Sequence, residues 1–427
     1  MDMKELYAVY QQYPSVVTDT RNIKPNDIFF ALKGPNFNGN HYAQQALDAG
    51  ASYCIADEDP GFSDTRIIRV PDCLETLQQL AKTHREQFDI PFIAITGSNG
   101  KTTTKELIHA VLSTTYTTYT TTGNLNNHIG VPLTILKVKK DAEMAVIEMG
   151  ANHQLEIKSY CEYAMPTHGL ITNCGKAHLE GFGGEEGVRK GKGELFDYLR
   201  AHQGTAFIYT DYDYLIEMSK GIEKVSRYGT NINNAELAGQ IVTDQDFLQL
   251  TITKGAAIDL IKTQLVGGYN LPNVLAAVAI GKYFKVSDYR IKSSLEHYVP
   301  SNSRSQLIEK NGHKIILDAY NANPTSMKAA IENFSRMEGS NKILMLGSMM
   351  ELGPESAKEH QQIVHLISQY SWKNVVLVGD GFKQLHDAYL HFNNAAEAGS
   401  WFHKQVVEHS SILIKGSRSM QMEKILD

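Results

Sequence analysis

The apolar and polar positions of the chain fall into three regions. In the first, from Met1 to about Phe88, an apolar strand Ile28-Phe29-Phe30-Ala31-Leu32 is broken by Lys33-Gly34-Pro35. A helix-like stretch at 41–49 and a strand at 52–56 follow. Leu74, Leu77, Leu80 and Ala81 recur at helical spacing, so 74–88 is predicted to be a helix leading into the next region. Strands alternating with helices predict a small α/β unit.

The second region opens with the strand Phe92-Ile93-Ala94-Ile95 and ends near Pro300. Two further apolar runs, Ala145-Val146-Ile147 and His168-Gly169-Leu170-Ile171-Thr172, each end in polar residues at the strand's carboxyl end, where open α/β sheets place their ligands. The threonine-rich run 113–122 is interrupted by Tyr116 and Tyr119 and predicts a strand with its approach. Alternation at 248–252 and 258–263 predicts hairpins decorating the sheet. From about Ser301, strands at 314–317, 343–346, 375–378 and 411–414 alternate with helical stretches such as 326–337. That pattern predicts a doubly wound, Rossmann-like domain.

Composition agrees with this division. At roughly 100–200 residues per domain, 427 residues call for two to four domains. Domains are therefore expected at 1–88, 89–300 and 301–427. Hydrophobic residues at 42% exclude wholesale disorder. A net charge of −6, from 41 Lys+Arg against 47 Asp+Glu, argues against a protein that coats nucleic acid or anionic membrane. Cys54, Cys73, Cys161 and Cys174 are scattered without a C-x-x-C pair, so buried free thiols in a reducing cytosol are expected, not a disulfide framework or zinc ribbon. No stretch approaches the roughly 18–20 apolar residues of a membrane helix, so a cytoplasmic protein without membrane insertion is expected.

The strongest local signal is Thr96-Gly97-Ser98-Asn99-Gly100-Lys101-Thr102-Thr103-Thr104, with an apolar strand before it and a helix-compatible stretch after it. The glycines let successive N–H groups turn toward phosphate oxygens, and the helix N-terminus adds partial positive charge. Lys101 would reach the β/γ-phosphates and Thr102 would offer a hydroxyl to Mg²⁺. The loop is the shorter G-x-x-G-K-T-T form of the phosphate loop, which makes the central domain P-loop ATPase-like.

Other candidates surround it. Glu148 ends an apolar strand where a second Mg²⁺ contact is usual. His178, in Thr172-Asn173-Cys174-Gly175-Lys176-Ala177-His178, follows the third strand and reads either as a structural histidine or as a ligand. Lys190 and Lys192 open a predicted helix and could be phosphate counter-charges. The run Gly123-Asn124-Leu125-Asn126-Asn127-His128 is dense in amides, which suit neutral polar parts of a substrate.

Taken together, Thr96–Thr102, 123–132, Glu148-Met149-Gly150 and 172–181 resemble the Mur ligases, the ATP-dependent amide-forming enzymes of peptidoglycan synthesis and hence of cell-wall growth, shape and division. Asp318-Ala319-Tyr320-Asn321-Ala322-Asn323-Pro324, Leu346-Gly347-Ser348-Met349-Met350-Glu351-Leu352-Gly353 and Lys415-Gly416-Ser417-Arg418-Ser419 are similar to the carboxyl-terminal motifs of the dipeptide-adding branch. With Thr18-Asp19-Thr20-Arg21 at the other end, the resemblance spans nearly the whole chain.

The resemblance implies ATP and two Mg²⁺ as cofactors, UDP-N-acetylmuramoyl-tripeptide and D-alanyl-D-alanine as partners, and a monomer. It implies phosphate and nucleotide contacts from Gly97, Ser98, Asn99, Gly100, Lys101, Thr102 and Thr103, and from Asn273, Arg304, Asp318, Tyr320 and Asn321. Metal would be held by Thr102, Glu148 and His178 and by Lys192, the position carbamylated in the family. Lys101, Lys192, His178, Arg304 and Asp318 would be catalytic. Substrate contacts would come from Thr20, Arg21, Lys33, Gly34, Asn124, Asn127, Lys415, Ser417 and Arg418. Two positions depart from the family pattern: Ser348 where Asp is usual, and Asn26 where glycine is usual. The alternatives are a third-amino-acid-adding Mur ligase, which usually carries Asp-Asn-Pro-Arg where this chain has Asn321-Ala322-Asn323-Pro324, a folylpolyglutamate synthetase-like ligase, and a P-loop ATPase without ligase chemistry.

Overall fold

The computed structural model describes residues 2–301, 303–385, 389–405 and 409–427. Three separate parallel-based sheets give three α/β domains in chain order. The first holds β1 (Val16–Val17), β2 (Ile28–Phe30), the small antiparallel pair β3 (Lys33–Gly34) and β4 (Phe37–Asn38), β5 (Tyr53–Ala56) and β6 (Ile67–Arg69). Its sheet runs β1-β2-β5-β6, all parallel. The expected helix is present at Cys73–Arg85, with Asp72 as N-cap. A helix at Met3–Gln12 was not foreseen; its start is a capping box in which Asp2 and Glu5 serve each other's backbone N–H.

The central domain carries β7 (Phe92–Thr96), β8 (Thr118–Thr120), β9 (Met144–Glu148), β10 (His168–Ile171), β11 (Thr205–Tyr209), β12 (Lys224–Gly229), β13 (Leu237–Thr243), β14 (Gln249–Lys254) and β15 (Ile261–Lys262). The order is β15-β14-β13-β12-β11-β10-β7-β9-β8. The phosphate-loop strand β7 thus lies between β10 and β9, and the loops after all three meet at one edge. β7 and β9 are buried along their whole length, which explains their continuous apolar runs. The expected hairpin material is the antiparallel β13-β14-β15. The helix expected to begin near Lys190 runs Glu185–Ala201, so Lys192 sits inside it.

The third domain holds β16 (Gln306–Lys310), β17 (His313–Asp318), β18 (Ile343–Gly347), β19 (Asn374–Val378), β20 (Leu390–Phe392) and β21 (Ser411–Lys415), ordered β16-β17-β21-β18-β19-β20. Only β16 pairs antiparallel. Alternate residues enter different cores: Ile315, Ile343, Met345, Ile412 and Ile414 on one face, Ile316, Leu344, Leu346 and Leu413 on the other. Both faces are covered, as a doubly wound sheet requires.

Junctions between domains are polar and specific. Arg85 stacks 3.9 Å over the Phe92 ring and donates to the carbonyls of Phe88 (2.7 Å), Ala164 (3.0 Å) and Met165 (3.0 Å). That ties the helix Cys73–Arg85 to the central domain. The third domain meets the central one through Lys176 and Glu359 (2.6 Å), Arg336 and Asp244 (3.9 Å), and Lys314 and Asp246. Ser348 is buried; its hydroxyl donates to Val378 O and accepts from Gly381 N, stitching β18 to the turn after β19. The four cysteines are free and buried. Among the described residues no helix is long and apolar enough to cross a membrane.

Candidate active site

The loop after β7 turns through two glycines. Gly97 has φ +142°, and a Cβ there would stand 2.0 Å from Thr172 Oγ1. Gly100 has φ +80°, and a Cβ there would stand 2.6 Å from Asn273 Oδ1. Only glycine meets both demands. The end of β10 holds the loop: Ser98 N donates to Asn173 O (2.8 Å), Asn99 N to Asn173 Oδ1 (3.1 Å), and Thr172 Oγ1 to Asn99 O (2.6 Å). The helix Lys101–Leu112 starts at Gly100 without a side-chain cap, which leaves its first-turn N–H groups for an anion. Lys101 folds over its own loop, donating to Gly97 O (2.6 Å) and Ser98 O (3.2 Å). Burial lowers its ammonium to about 8, against the pull of Glu148 and with a contribution from Arg304.

Glu148 closes β9 and is 1% exposed. Its Oε1 accepts from Thr102 Oγ1 (3.0 Å) and Asn126 Nδ2 (2.7 Å), while its Oε2 is buried with no hydrogen-bond partner. A carboxylate oxygen left alone beside a phosphate loop is costly as it stands and is a donor that a hard cation takes. Among the described residues no three His, Cys, Asp or Glu side chains converge on a metal-sized point. The donor set is therefore one carboxylate and one hydroxyl, and it fits Mg²⁺, whose remaining positions go to phosphates and water.

Lys192 lies behind this wall, fully buried, with Nζ donating to Ala151 O (2.9 Å) and 4.8 Å from the Phe182 ring centre. Burial, reinforced by Lys101, holds its pKa well below that of an ordinary lysine. His178 and Glu351 approach across the domain seam, Nδ1 to Oε2 at 2.5 Å. Both are in the left-handed backbone region, at φ +50° and +61°.

From the third domain, Asp318 and Lys415 are register partners on β17 and β21. Lys415 Nζ donates to Asp318 Oδ2 (2.6 Å), and Asp318 Oδ1 accepts from Ser305 N (3.1 Å). The Arg304 guanidinium lies 3.5 Å over the Tyr320 ring. A cavity of about 710 Å³ lies between these groups and the phosphate loop, within the range of small-molecule sites. Ser98, Asn99, Gly100, Lys101, Thr102, Thr103, Asn124, Asn127, Glu148, His178, Asn273, Arg304, Asp318, Tyr320, Asn321 and Lys415 all line it.

Other expected residues lie elsewhere. Ser417 is buried and donates to Ser348 O (2.6 Å), and Arg418 pairs with Glu423 (2.7 Å); neither lines the cavity. Thr20, Arg21, Lys33 and Gly34 are in the first domain, outside it. Arg21 pairs with Asp19 (2.6 Å), and Lys33 with Asp57 and Glu58, both at 3.3 Å.

Within the cavity some expected groups serve the scaffold. Asn273 accepts from Thr104 Oγ1 (3.0 Å) and donates to Asn270 Oδ1 (2.8 Å), and Asn127 Oδ1 accepts from Ile129 N and Gly130 N. Three residues went unassigned by sequence reasoning: Asn126, which orients Glu148; Tyr269, whose hydroxyl meets Ser305 Oγ across the seam (3.1 Å); and Asn323, which donates to Asn99 Oδ1 (2.8 Å). Asn126 and Asn323 stand inside motifs already singled out, yet nothing in their spacing distinguishes them from neighbouring amides.

Comparison with known proteins agrees with this geometry. The family models for the Mur ligase family catalytic domain, the Mur ligase middle domain, and the Mur ligase glutamate ligase domain match residues 12–85, 95–281 and 303–418. The UDP-N-acetylmuramoyl-tripeptide–D-alanyl-D-alanine ligase of Bacillus subtilis (strain 168) is 34% identical, over 96% of this chain and 92% of the relative. MurF from Acinetobacter baumannii superposes with a TM-score of 0.87 at 31% identity, covering 96% and 92% of the two chains. MurF ligase from Thermotoga maritima in complex with ADP gives 0.86 at 25% identity, covering 96% of each. With matches running in chain order over all three sheets and a relative so similar along nearly its full length, the chain belongs to the Mur ligase family.

Proposed function

We propose that this chain uses ATP to join UDP-N-acetylmuramoyl-tripeptide to D-alanyl-D-alanine, forming an amide bond and releasing ADP and phosphate. The observation that carries this reading is the cavity itself, where a phosphate loop and a buried carboxylate with one unpartnered oxygen, both from the central domain, face Arg304, Asp318 and Lys415 of the third. The full-length likeness to ligases of that name agrees with it. A free carboxylate is a poor acyl donor because its oxide leaves badly. The tripeptide's terminal carboxylate oxygen attacks the γ-phosphorus of ATP, the bond to the β-bridging oxygen breaks, and ADP departs. The dipeptide's amine then attacks the acyl phosphate carbon, the carbon–oxygen bond to phosphate breaks in the tetrahedral intermediate, and the nitrogen gives up one proton as phosphate leaves.

The protein's part is to position and neutralise. The first-turn N–H groups of Lys101–Leu112 and the Lys101 ammonium receive phosphate oxygens. Lys101 must then exchange its contacts with Gly97 O and Ser98 O for the nucleotide. Thr102 and Glu148 are the groups that would hold Mg²⁺, and it would offset repulsion between the two anions; the His178 ring, engaged with Glu351 through Nδ1, lines the same cavity. The Lys192 amine, whose charged form burial disfavours, is suited to add CO₂, losing one proton and becoming a carbamate anion. The third domain covers the cavity and excludes water, which protects an acyl phosphate from hydrolysis. We assign 1–88 to the uridine nucleotide, 89–300 to ATP and 301–427 to the dipeptide and closure, in a monomer working in the cytoplasm. The test is phosphate release with UDP-N-acetylmuramoyl-tripeptides ending in lysine or diaminopimelate, with and without D-alanyl-D-alanine. Release that needs tripeptide and dipeptide together supports the reading. Release without either overturns it in favour of a plain ATPase.

A further inference from the structure

The tip of the phosphate loop is joined to the third domain by one side chain. Asn323 is 8% exposed and caps the helix Pro324–Arg336: its Oδ1 accepts from Ser326 N (2.9 Å). That bond fixes the orientation of its amide, so its Nδ2 faces outward and donates to Asn99 Oδ1 (2.8 Å) across 224 residues of chain. Asn99 is in turn set by β10, with its N on Asn173 Oδ1 and its O accepting from Thr172 Oγ1 and Asn173 Nδ2. A parallel contact, Lys176 N to Thr325 Oγ1 (3.0 Å), comes from the loop after β10. Thr325, Ser326 and Ala329, on the first turns of that helix, line the cavity opposite the phosphate loop.

We infer that Asn323 is a positioning residue that couples the phosphate loop to the dipeptide side of the cavity. It places the start of the helix Pro324–Arg336 only when the loop holds Asn99 in its nucleotide-binding conformation. Nucleotide and dipeptide then favour each other's binding, because each stabilises the same seam. A single neutral hydrogen bond sets the scale of this coupling at about fivefold.

The inference rests on the proposed amide-forming reaction, and its test separates the two. Titration calorimetry would measure D-alanyl-D-alanine binding with and without a non-hydrolysable ATP analogue and Mg²⁺, in the full-length protein. Wild type should bind dipeptide about fivefold more tightly with nucleotide present. Asn323→Ser keeps an N-cap acceptor but is too short to reach Asn99. It should reduce the enhancement to less than twofold, with the KM for dipeptide rising more than kcat falls. Asn323→Asp keeps the cap and, once the Asn99 amide turns over, can accept from its nitrogen, which has no partner among the described residues, so it should retain most of the enhancement. Thermal melts establish that both variants fold. Full enhancement in Asn323→Ser, or equal loss in both variants, overturns the coupling role. A wild type that shows no dipeptide-dependent phosphate release overturns the reaction itself.

Discussion

Replacing Glu148 by glutamine should make the metal-free protein more stable and the enzyme nearly inactive. The carboxylate is buried, accepts two hydrogen bonds on Oε1 and none on Oε2. Glutamine is isosteric and can keep Oε1 where it is, retaining Thr102 and Asn126. What changes is the orphan atom: a buried charge becomes a neutral amide. Burying an ion costs several kcal/mol after relaxation. The opposing loss is the attraction between Glu148 and Lys101, whose ammonium donates to Gly97 O and Ser98 O and makes no hydrogen bond to Glu148. The net gain should be about 1–2 kcal/mol. At about 2–4 °C per kcal/mol for a domain of this size, the melting temperature should rise by roughly 2–8 °C. The assay is thermal unfolding in EDTA, repeated with Mg²⁺ and ADP, beside phosphate release. Wild type should be stabilised by Mg²⁺·ADP and the variant much less, and turnover should fall at least ~100-fold, since even outer-sphere changes cost 10–100-fold. A variant less stable than wild type without metal, or one stabilised equally by Mg²⁺·ADP, would refute the reasoning that Glu148 is a cation ligand.

Asn126→Ala should remove one of the two bonds that orient Glu148 and lower turnover by about 10–100-fold with little change in KM for the uridine substrate, read from steady-state kinetics. Lys192→Ala should have low activity that small carboxylates partly restore, and wild type in ¹³C-bicarbonate should give a carbamate carbon signal that the variant lacks. Lys101 has a folded pKa of about 8 against 10.5 ordinarily, so the unfolded state holds the extra proton between those values. Stability should therefore rise with pH across that window, and wild type should gain on Lys101→Met as ligand-free samples are denatured in urea from about pH 7.5 to 10. Arg85→Met should cost about 3–5 kcal/mol by the same measurement, because three carbonyls lose a charged donor and Phe92 loses its cation.

What could be read in the sequence was whatever follows from local pattern. Continuous apolar runs located β7, β9, β10 and the core strands of the third sheet, because strands buried on both faces leave no polar alternation to confuse. Gly97 and Gly100 were legible because their backbone angles and close contacts admit no side chain. The helix Met3–Gln12 was not, since it buries only Leu6 and Tyr10 and its start depends on a two-residue capping box. Side-chain partnership was the least visible property. Ser417 belongs to a motif that reads as substrate-facing, yet its hydroxyl is used by Ser348 O at the end of the neighbouring strand, and Lys415 from the same motif neutralises Asp318. Asn99 and Asn323 lie 224 residues apart, and only the folded chain shows that one amide joins the phosphate loop to the third domain. The division has a physical cause: sheet strands are specified by their own residues, whereas the active site is specified by the meeting of loops from two domains. The net charge of −6 fits that division as well: the cations that line the cavity, Lys101 of the central domain and Arg304 of the third, meet only where the seam places them.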